Sequence, residues 1–215
     1  MLSYELSPGT ASIDGSTVVV LLHGRGSHQG DLQGLRPGLP AEWTLVTPQA
    51  PFPGREWGYG PGWAWYRYAG EDRVEHEALD RSLADLDAFM DALPEIVGFS
   101  PGSVLLGGFS QGGTTSLAFA LSRPERIKGA LNFSGFLADG LELPDAEELA
   151  AIPPLFWAHG QHDPNIPFEL AVRGRGRLRD AGLEPIVHDY AIGHWIVAEE
   201  VEAAVAFMQD AIGAS

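Results

Sequence analysis

Residues 103–121 read SVLLGGFSQGGTTSLAFAL, and the rest of the chain is organised around them. The run Val104-Leu105-Leu106 is too short for a helix and is bounded by glycines, which marks a strand buried on both faces. Gly108-Phe109-Ser110-Gln111-Gly112 then supplies a sharp turn with Gly113 behind it, and Thr114 to Leu121 reads as a helix packed close to the sheet. Strand, G-x-S-x-G and helix in that order make an elbow that holds a serine in a strained backbone conformation. Side chains two residues to either side of Ser110 would collide with the neighbouring strand and helix, so both positions are glycine. The turn lifts the hydroxyl above the sheet edge, near the positive end of the helix. With 27 glycines among 215 residues the pentapeptide alone is a weak signal; its setting carries the reading.

A serine hydroxyl is a poor nucleophile at neutral pH, so it needs a base, and the base needs a carboxylate to orient it. Chain order for an elbow serine places the acid next and the histidine last, each in a loop just beyond a strand's carboxyl end. Asp163 in HGQHDPNIP and His194 in AIGHWI meet that requirement. Glu142, Asp139 and Asp145 are alternative acids, because they follow another strand. His159 and His162 precede Asp163, His188 lies inside a strand, and His23, His28 and His76 precede the serine. His159, His162 and Asp163 have ligand types that suit zinc, but Asp163 already has a better role; no metal and no cofactor is expected. The tetrahedral oxyanion of acyl transfer needs two N–H donors. The main chain of Gln111 is expected to supply one, and the main chain of Arg25, in His23-Gly24-Arg25-Gly26, the other.

The surrounding chain alternates strands with helices. Leu2 to Leu6 and Ala11 to Ile13 suggest an antiparallel edge hairpin, and Thr17 to Leu22 (TVVVLL) a central parallel strand. Asp31 to Leu35 begins a short helix, and Trp43 to Val46 is a strand. Residues 49–70 carry many aromatics among glycines and prolines, fit no regular element, and read as a loop held by its own rings. Trp57, Trp63, Trp65 and Tyr66 are the candidates there for an apolar substrate wall. Arg73 to Val97 has helical apolar spacing, with Pro94 bending or ending it. Ile127 to Phe133, Pro154 to Ala158 and Pro185 to Tyr190 are further strands, joined by an acidic, partly helical stretch at Asp145 to Ala151. Phe168 to Ala181 and Ile196 to Ile212 are helices. Arg173, Arg175, Arg177 and Arg179 fall at two-residue steps and read as a solvated surface. The pattern predicts a mostly parallel α/β sheet with helices on both faces, in one domain over residues 1–215 with little or no lid.

Composition narrows the function. A hydrophobic fraction of 45% supports a real core, while a net charge of −16 argues against nucleic acid and against anionic membranes. Zero cysteines exclude disulfides and thiolate chemistry. No signal-peptide pattern and no apolar run long enough to insert in a bilayer appear, so a cytoplasmic protein is expected, as monomer or homodimer.

Five pieces, LLHGRGSHQGDL, PQAP, GFSQGG, HGQHDPNIP and GHWI, occur in this order between residues 21 and 197. In them the chain resembles the small carboxylesterase/phospholipase group of α/β-hydrolases that includes the acyl-protein thioesterases. The resemblance implies Ser110 as nucleophile, Asp163 as acid, His194 as base, and Arg25 and Gln111 as oxyanion donors. It also implies a cofactor-free hydrolase of short- to medium-chain acyl esters or thioesters. A perhydrolase or acyltransferase would use the same residues with a different acceptor, and a catalytically silent binding protein would use the fold alone. Two departures bear on the substrate. Arg25 stands where many thioesterases carry leucine, and EWGYGPGWAWYRY is bulkier than the family's short aromatic element.

Overall fold

Among the described residues, nine strands and five α-helices make up the fold. Tyr4–Ser7 (β1), Thr17–Leu22 (β2) and Thr44–Pro48 (β3) open the chain; Phe52–Pro53 (β4) and Trp63–Ala64 (β5) form a separate two-stranded pair. Ser103–Phe109 (β6), Gly129–Phe133 (β7), Leu155–Gly160 (β8) and Ile186–Tyr190 (β9) follow. The helices are His76–Asp91 (α1), Leu93–Val97 (α2), Gln111–Ser122 (α3), Phe168–Asp180 (α4) and Ala198–Gly213 (α5). The computed structural model describes residues 1–70, 72–145 and 147–213. Ala146, inside the stretch expected to be partly helical, lies outside them; around it only Leu149–Ala151 forms a 3-10 turn.

Seven strands hydrogen-bond in the order β1-β3-β2-β6-β7-β8-β9, and only the β1–β3 pair is antiparallel. The expected hairpin of residues 2–13 does not form: β1 pairs across some forty residues with β3, Tyr4 opposite Pro48. β2 and β6 lie side by side with Leu22 opposite Gly108, so their carboxyl ends, and the turns after them, emerge together. One apolar layer, with Leu83, Leu86, Phe119 and Leu178, packs α1, α3 and α4 on one face of the sheet. On the other, Leu32 of the 3-10 segment Asp31–Gly38 and Leu39 just after it join Phe207 and Met208 of α5. Burial of both faces explains the continuous apolar runs of the inner strands.

Arg175 departs from the expectation of a solvated arginine face. It is buried, its guanidinium pairs with Asp189 at 2.7 Å, and it donates to the Trp157 carbonyl at 3.2 Å. The aromatic segment also turns inward. Trp65 and Tyr66 are fully buried, and the Gln111 side chain spans their backbone, accepting from the Trp65 N–H (2.8 Å) and donating to the Tyr66 carbonyl (2.7 Å). Replacing Gln111 by Leu strands two buried main-chain groups. It is expected to cost roughly 2–5 kcal/mol, read as a lower urea midpoint at unchanged m-value; an unmoved midpoint would show the clamp to be idle.

Two buried titratable side chains give the fold a compensated pH response. His23 accepts the Ala50 N–H at Nε2 (3.1 Å), which leaves the proton on Nδ1 for the Gly24 carbonyl (2.7 Å). Burial pushes it down from 6.5 to about 4. Below pH 6.5 the unfolded chain takes up a proton that the folded one refuses, so this residue's contribution shrinks as pH falls toward 4. Glu200 is buried in the first turn of α5, and burial, only partly offset by a hydrogen bond from the Val197 N–H, pushes it up from 4.5 to about 7. Here the folded chain keeps a proton that the unfolded one has lost, so stability drops as pH rises from 4.5 to 7. The two slopes oppose each other between pH 4.5 and 6.5. Relative to the unsubstituted protein, Glu200→Gln should therefore gain about 1.4 kcal/mol of stability per pH unit of rise in that window, and His23→Gln should lose a similar amount. Urea titrations at half-unit pH steps check this; profiles parallel to that of the parent protein would contradict it.

Candidate active site

The sheet's carboxyl edge assembles the site. α3 starts at Gln111, three residues before the expected Thr114, and Ser110 is its N-cap at φ 55° and ψ −114°. That region is costly for a residue with a β-carbon and persists only where the surroundings impose it. Here they do. The Ser110 N–H donates to the Phe133 carbonyl at 2.7 Å, and its own carbonyl accepts the Thr114 N–H at 3.1 Å. A β-carbon on Gly112 would lie 2.0 Å from the Leu22 carbonyl oxygen, so only glycine lets α3 come this close to β2.

Asp163 follows β8 and His194 follows β9, as chain order requires. Main-chain bonds tie the two loops together: the Gln161 N–H donates to Tyr190 (2.8 Å) and the His162 N–H to Ile192 (2.9 Å). Asp163 divides its carboxylate. Oδ1 accepts the N–H groups of Asn165 (2.8 Å) and Ile166 (2.9 Å), and Oδ2 accepts Nδ1–H of His194 at 2.6 Å. Burial pushes the Asp163 pKa up, but the His194 bond and the two main-chain bonds outweigh it and hold the carboxyl below its ordinary value. With Nδ1 on Asp163, the imidazole keeps Nε2 for a proton. Phe109 backs the ring at a centroid distance of 4.6 Å.

His159 belongs to β8 itself, not to the loop after it. Its Nε2–H donates to the Ile166 carbonyl at 2.9 Å, and burial holds the ring below its ordinary pKa. It braces the turn that carries Asp163. His188 stacks on Phe156 at 5.3 Å. Among the alternative acids, Asp139 faces Arg177 at 3.8 Å.

Ser110 and His194 line one cavity of about 380 Å³, together with Gly24, Arg25, Tyr68 and Asn165. Among the described residues, no hydrogen bond joins the serine hydroxyl to the ring, and neither the Arg25 nor the Gln111 main-chain N–H donates to a protein acceptor. The Arg25 guanidinium lies over the faces of Tyr59 (4.9 Å) and Tyr68 (5.3 Å). None of Trp57, Trp63, Trp65 and Tyr66 lines this cavity. Trp65 and Tyr66 are core residues, Trp57 packs on Phe52 at 4.8 Å, and Trp63 faces a separate pocket with Arg81 and Asp85. The expected aromatic wall is thus a buttress behind the site. Tyr68, the last ring of the segment, is the one that reaches the cavity; in sequence nothing distinguished it from its neighbours.

Comparison with known proteins agrees with this architecture. The family model described as phospholipase/carboxylesterase matches residues 11–212. Acyl-protein thioesterase 1 of Emericella nidulans is 29% identical over 189 residues, 80% of this chain and 79% of that protein. The crystal structure of esterase PE8, 29% identical, superposes with a TM-score of 0.76 over 97% of this chain and 98% of its own. Acyl-protein thioesterase 2 of Zea mays shares the fold at a TM-score of 0.83, with 22% identity over 99% of this chain and all of its own. With a family match that spans nearly the whole sequence, the chain belongs to the phospholipase/carboxylesterase family of α/β-hydrolases and is an ester or thioester hydrolase.

Proposed function

We propose that the protein cleaves carboxylic esters or thioesters of short- to medium-chain acyl groups through Ser110, His194 and Asp163, by way of an acyl-enzyme. The observation that carries this reading is the 2.6 Å bond from His194 Nδ1 to Asp163, made by a ring that shares a cavity with the Ser110 hydroxyl. His194 Nε2 takes the hydroxyl proton as Ser110 Oγ bonds to the carbonyl carbon. The carbonyl oxygen becomes an oxyanion held by the main-chain N–H groups of Arg25 and Gln111. The tetrahedral intermediate collapses, the carbon–oxygen or carbon–sulfur bond breaks, and His194 returns the proton to the departing alcohol or thiol. Water, deprotonated by the same ring, then releases the acid and restores Ser110. Asp163 keeps the ring in the tautomer that both half-reactions need.

A cavity of about 380 Å³ is at the small end for ligand pockets, which favours short acyl groups over lipid chains. The proposal covers residues 1–215 as one working unit, because the strands that carry Ser110, Asp163 and His194 belong to a single sheet. It also keeps the cytoplasmic setting and the monomer or homodimer expected from the sequence. Among the described residues, no helix is long and apolar enough to cross a membrane.

A fluorophosphonate probe should label the protein, and Ser110→Ala should abolish labelling and reduce kcat by roughly a millionfold. Asp163→Asn should keep the fold and lose about 10⁴ in kcat through the wrong imidazole tautomer. Equal labelling of parent and Ser110→Ala proteins would remove the serine from its proposed role.

A further inference from the structure

A second cavity, of about 260 Å³, adjoins the first on the His194 side. The two share Asp31, Phe109 and His194, but their characters differ. The first presents Arg25, Tyr68 and Asn165. The lining of the second includes Leu32, Leu35, Phe109, Trp195 and Ile196. Trp195 immediately follows the proposed base and leaves 56% of its surface in water, although it is a large hydrophobic side chain. Its ring is folded back over Gly193, where a β-carbon would lie 2.4 Å from Cζ3. Glycine at 193 thus allows the indole to lie flat along the loop beside the cavity. An exposed tryptophan continuous with a concave apolar floor is a surface waiting for an apolar ligand.

Proton bookkeeping says which part of a substrate reaches it. The base must return its proton to the departing oxygen or sulfur, so the leaving group has to stand against His194. Nδ1 is committed to Asp163, and the residues directly after the ring, Trp195 and Ile196, run into the second cavity. We propose that this shelf of Leu32, Leu35, Phe109, Trp195 and Ile196 is the subsite for the leaving alcohol or thiol, and that the enzyme selects esters of apolar, uncharged alcohols. The inference rests on the serine mechanism proposed above. The acyl arm then falls to the more polar first cavity. Asp31, exposed at the seam and accepting a hydrogen bond from the Ser27 hydroxyl at 2.7 Å, disfavours alcohols that carry a carboxylate. Selectivity on this account lies in the part of the ester that is discarded first.

That order of events gives the test its resolution. Methyl, hexyl and benzyl acetates differ in leaving group but pass through the same acetyl-enzyme. Trp195→Ala should lower the acylation kcat/KM for hexyl and benzyl acetate roughly tenfold and for methyl acetate less than twofold. Trp195→Phe should restore most of the loss, and hydrolysis of the common acetyl-enzyme should be unchanged in both variants. Trp195 is largely exposed, so both variants should fold. A loss that is equal across the three acetates, a slower deacetylation, or no change at all would overturn the shelf. The first two would instead make Trp195 a residue that positions His194. A parent enzyme that hydrolyses these acetates with neither an acetyl-enzyme nor fluorophosphonate labelling would bring down the serine mechanism, and the shelf with it.

Discussion

The close seating of α3 on the end of β2 is the constraint from which the rest follows. A helix start cannot normally lie against a neighbouring strand's last carbonyls, because β-carbons hold the backbones apart. Gly112 removes that spacer where one would come within 2.0 Å of Leu22, and Gly108 does so from the strand side, 2.3 Å from the Gly112 carbonyl carbon. With both backbones pulled in, the residue between them has nowhere to go except φ 55°. The strain on Ser110 is thus imposed by packing on both flanks and held by its bonds to Phe133 and Thr114. Strain stored this way is stable, because relaxing it means lifting a buried helix off the sheet.

Asp163 works by a similar economy. A buried carboxylate is costly unless hydrogen bonds replace its lost water. Two main-chain donors on Oδ1 supply part of that replacement and also shape the turn after β8. The remaining oxygen faces His194, whose loop is laced to the β8 loop by main-chain bonds from Gln161 and His162. The imidazole therefore meets a charge that is already stabilised and already aimed, before any substrate arrives.

Much of this was legible in the sequence, and the failures have physical causes. Thr17–Leu22 and the elbow strand were readable because strands covered on both faces are apolar at nearly every position. Ser110, Asp163 and His194 were nameable as candidates because sheet topology restricts such residues to loops beyond strand ends, here those of β6, β8 and β9. Periodicity could not show the partner of β1, since pairing across some forty residues leaves no local trace. Arg175 was misread for a related reason: a two-residue arginine rhythm looks solvated until a distant Asp189 and the Trp157 carbonyl take one member inside. Glu200 carried no signal either, as burial of an acid in a helix's first turn depends on what packs over it.

The aromatic segment bears on the proposed site by another route than the one expected of it. Its rings do not line the cavity, yet its main chain reaches both proposed oxyanion donors. The Gly26 N–H donates to the Trp63 carbonyl and the Trp63 N–H to the Ser27 carbonyl, both at 2.8 Å, so the backbone on the far side of Arg25 is stapled to β5. Next to it, the Trp65 indole N–H donates to the His23 carbonyl at 2.9 Å, fixing the near side. The neighbouring Trp65 N–H and Tyr66 carbonyl grip the Gln111 side chain, and with it the first residue of α3. Residues 63–66 are thus the common anchor for two N–H groups from turns that follow different strands. Preorganised donors outperform mobile ones because nothing has to be reoriented as charge develops. Bulky buried aromatics provide that rigidity, since a ring packed in the core cannot move without opening a cavity. On the proposed mechanism, aromatic mass in this segment serves the oxyanion donors through the backbone, and the substrate's own shape is left to the surfaces around Arg25 and Trp195.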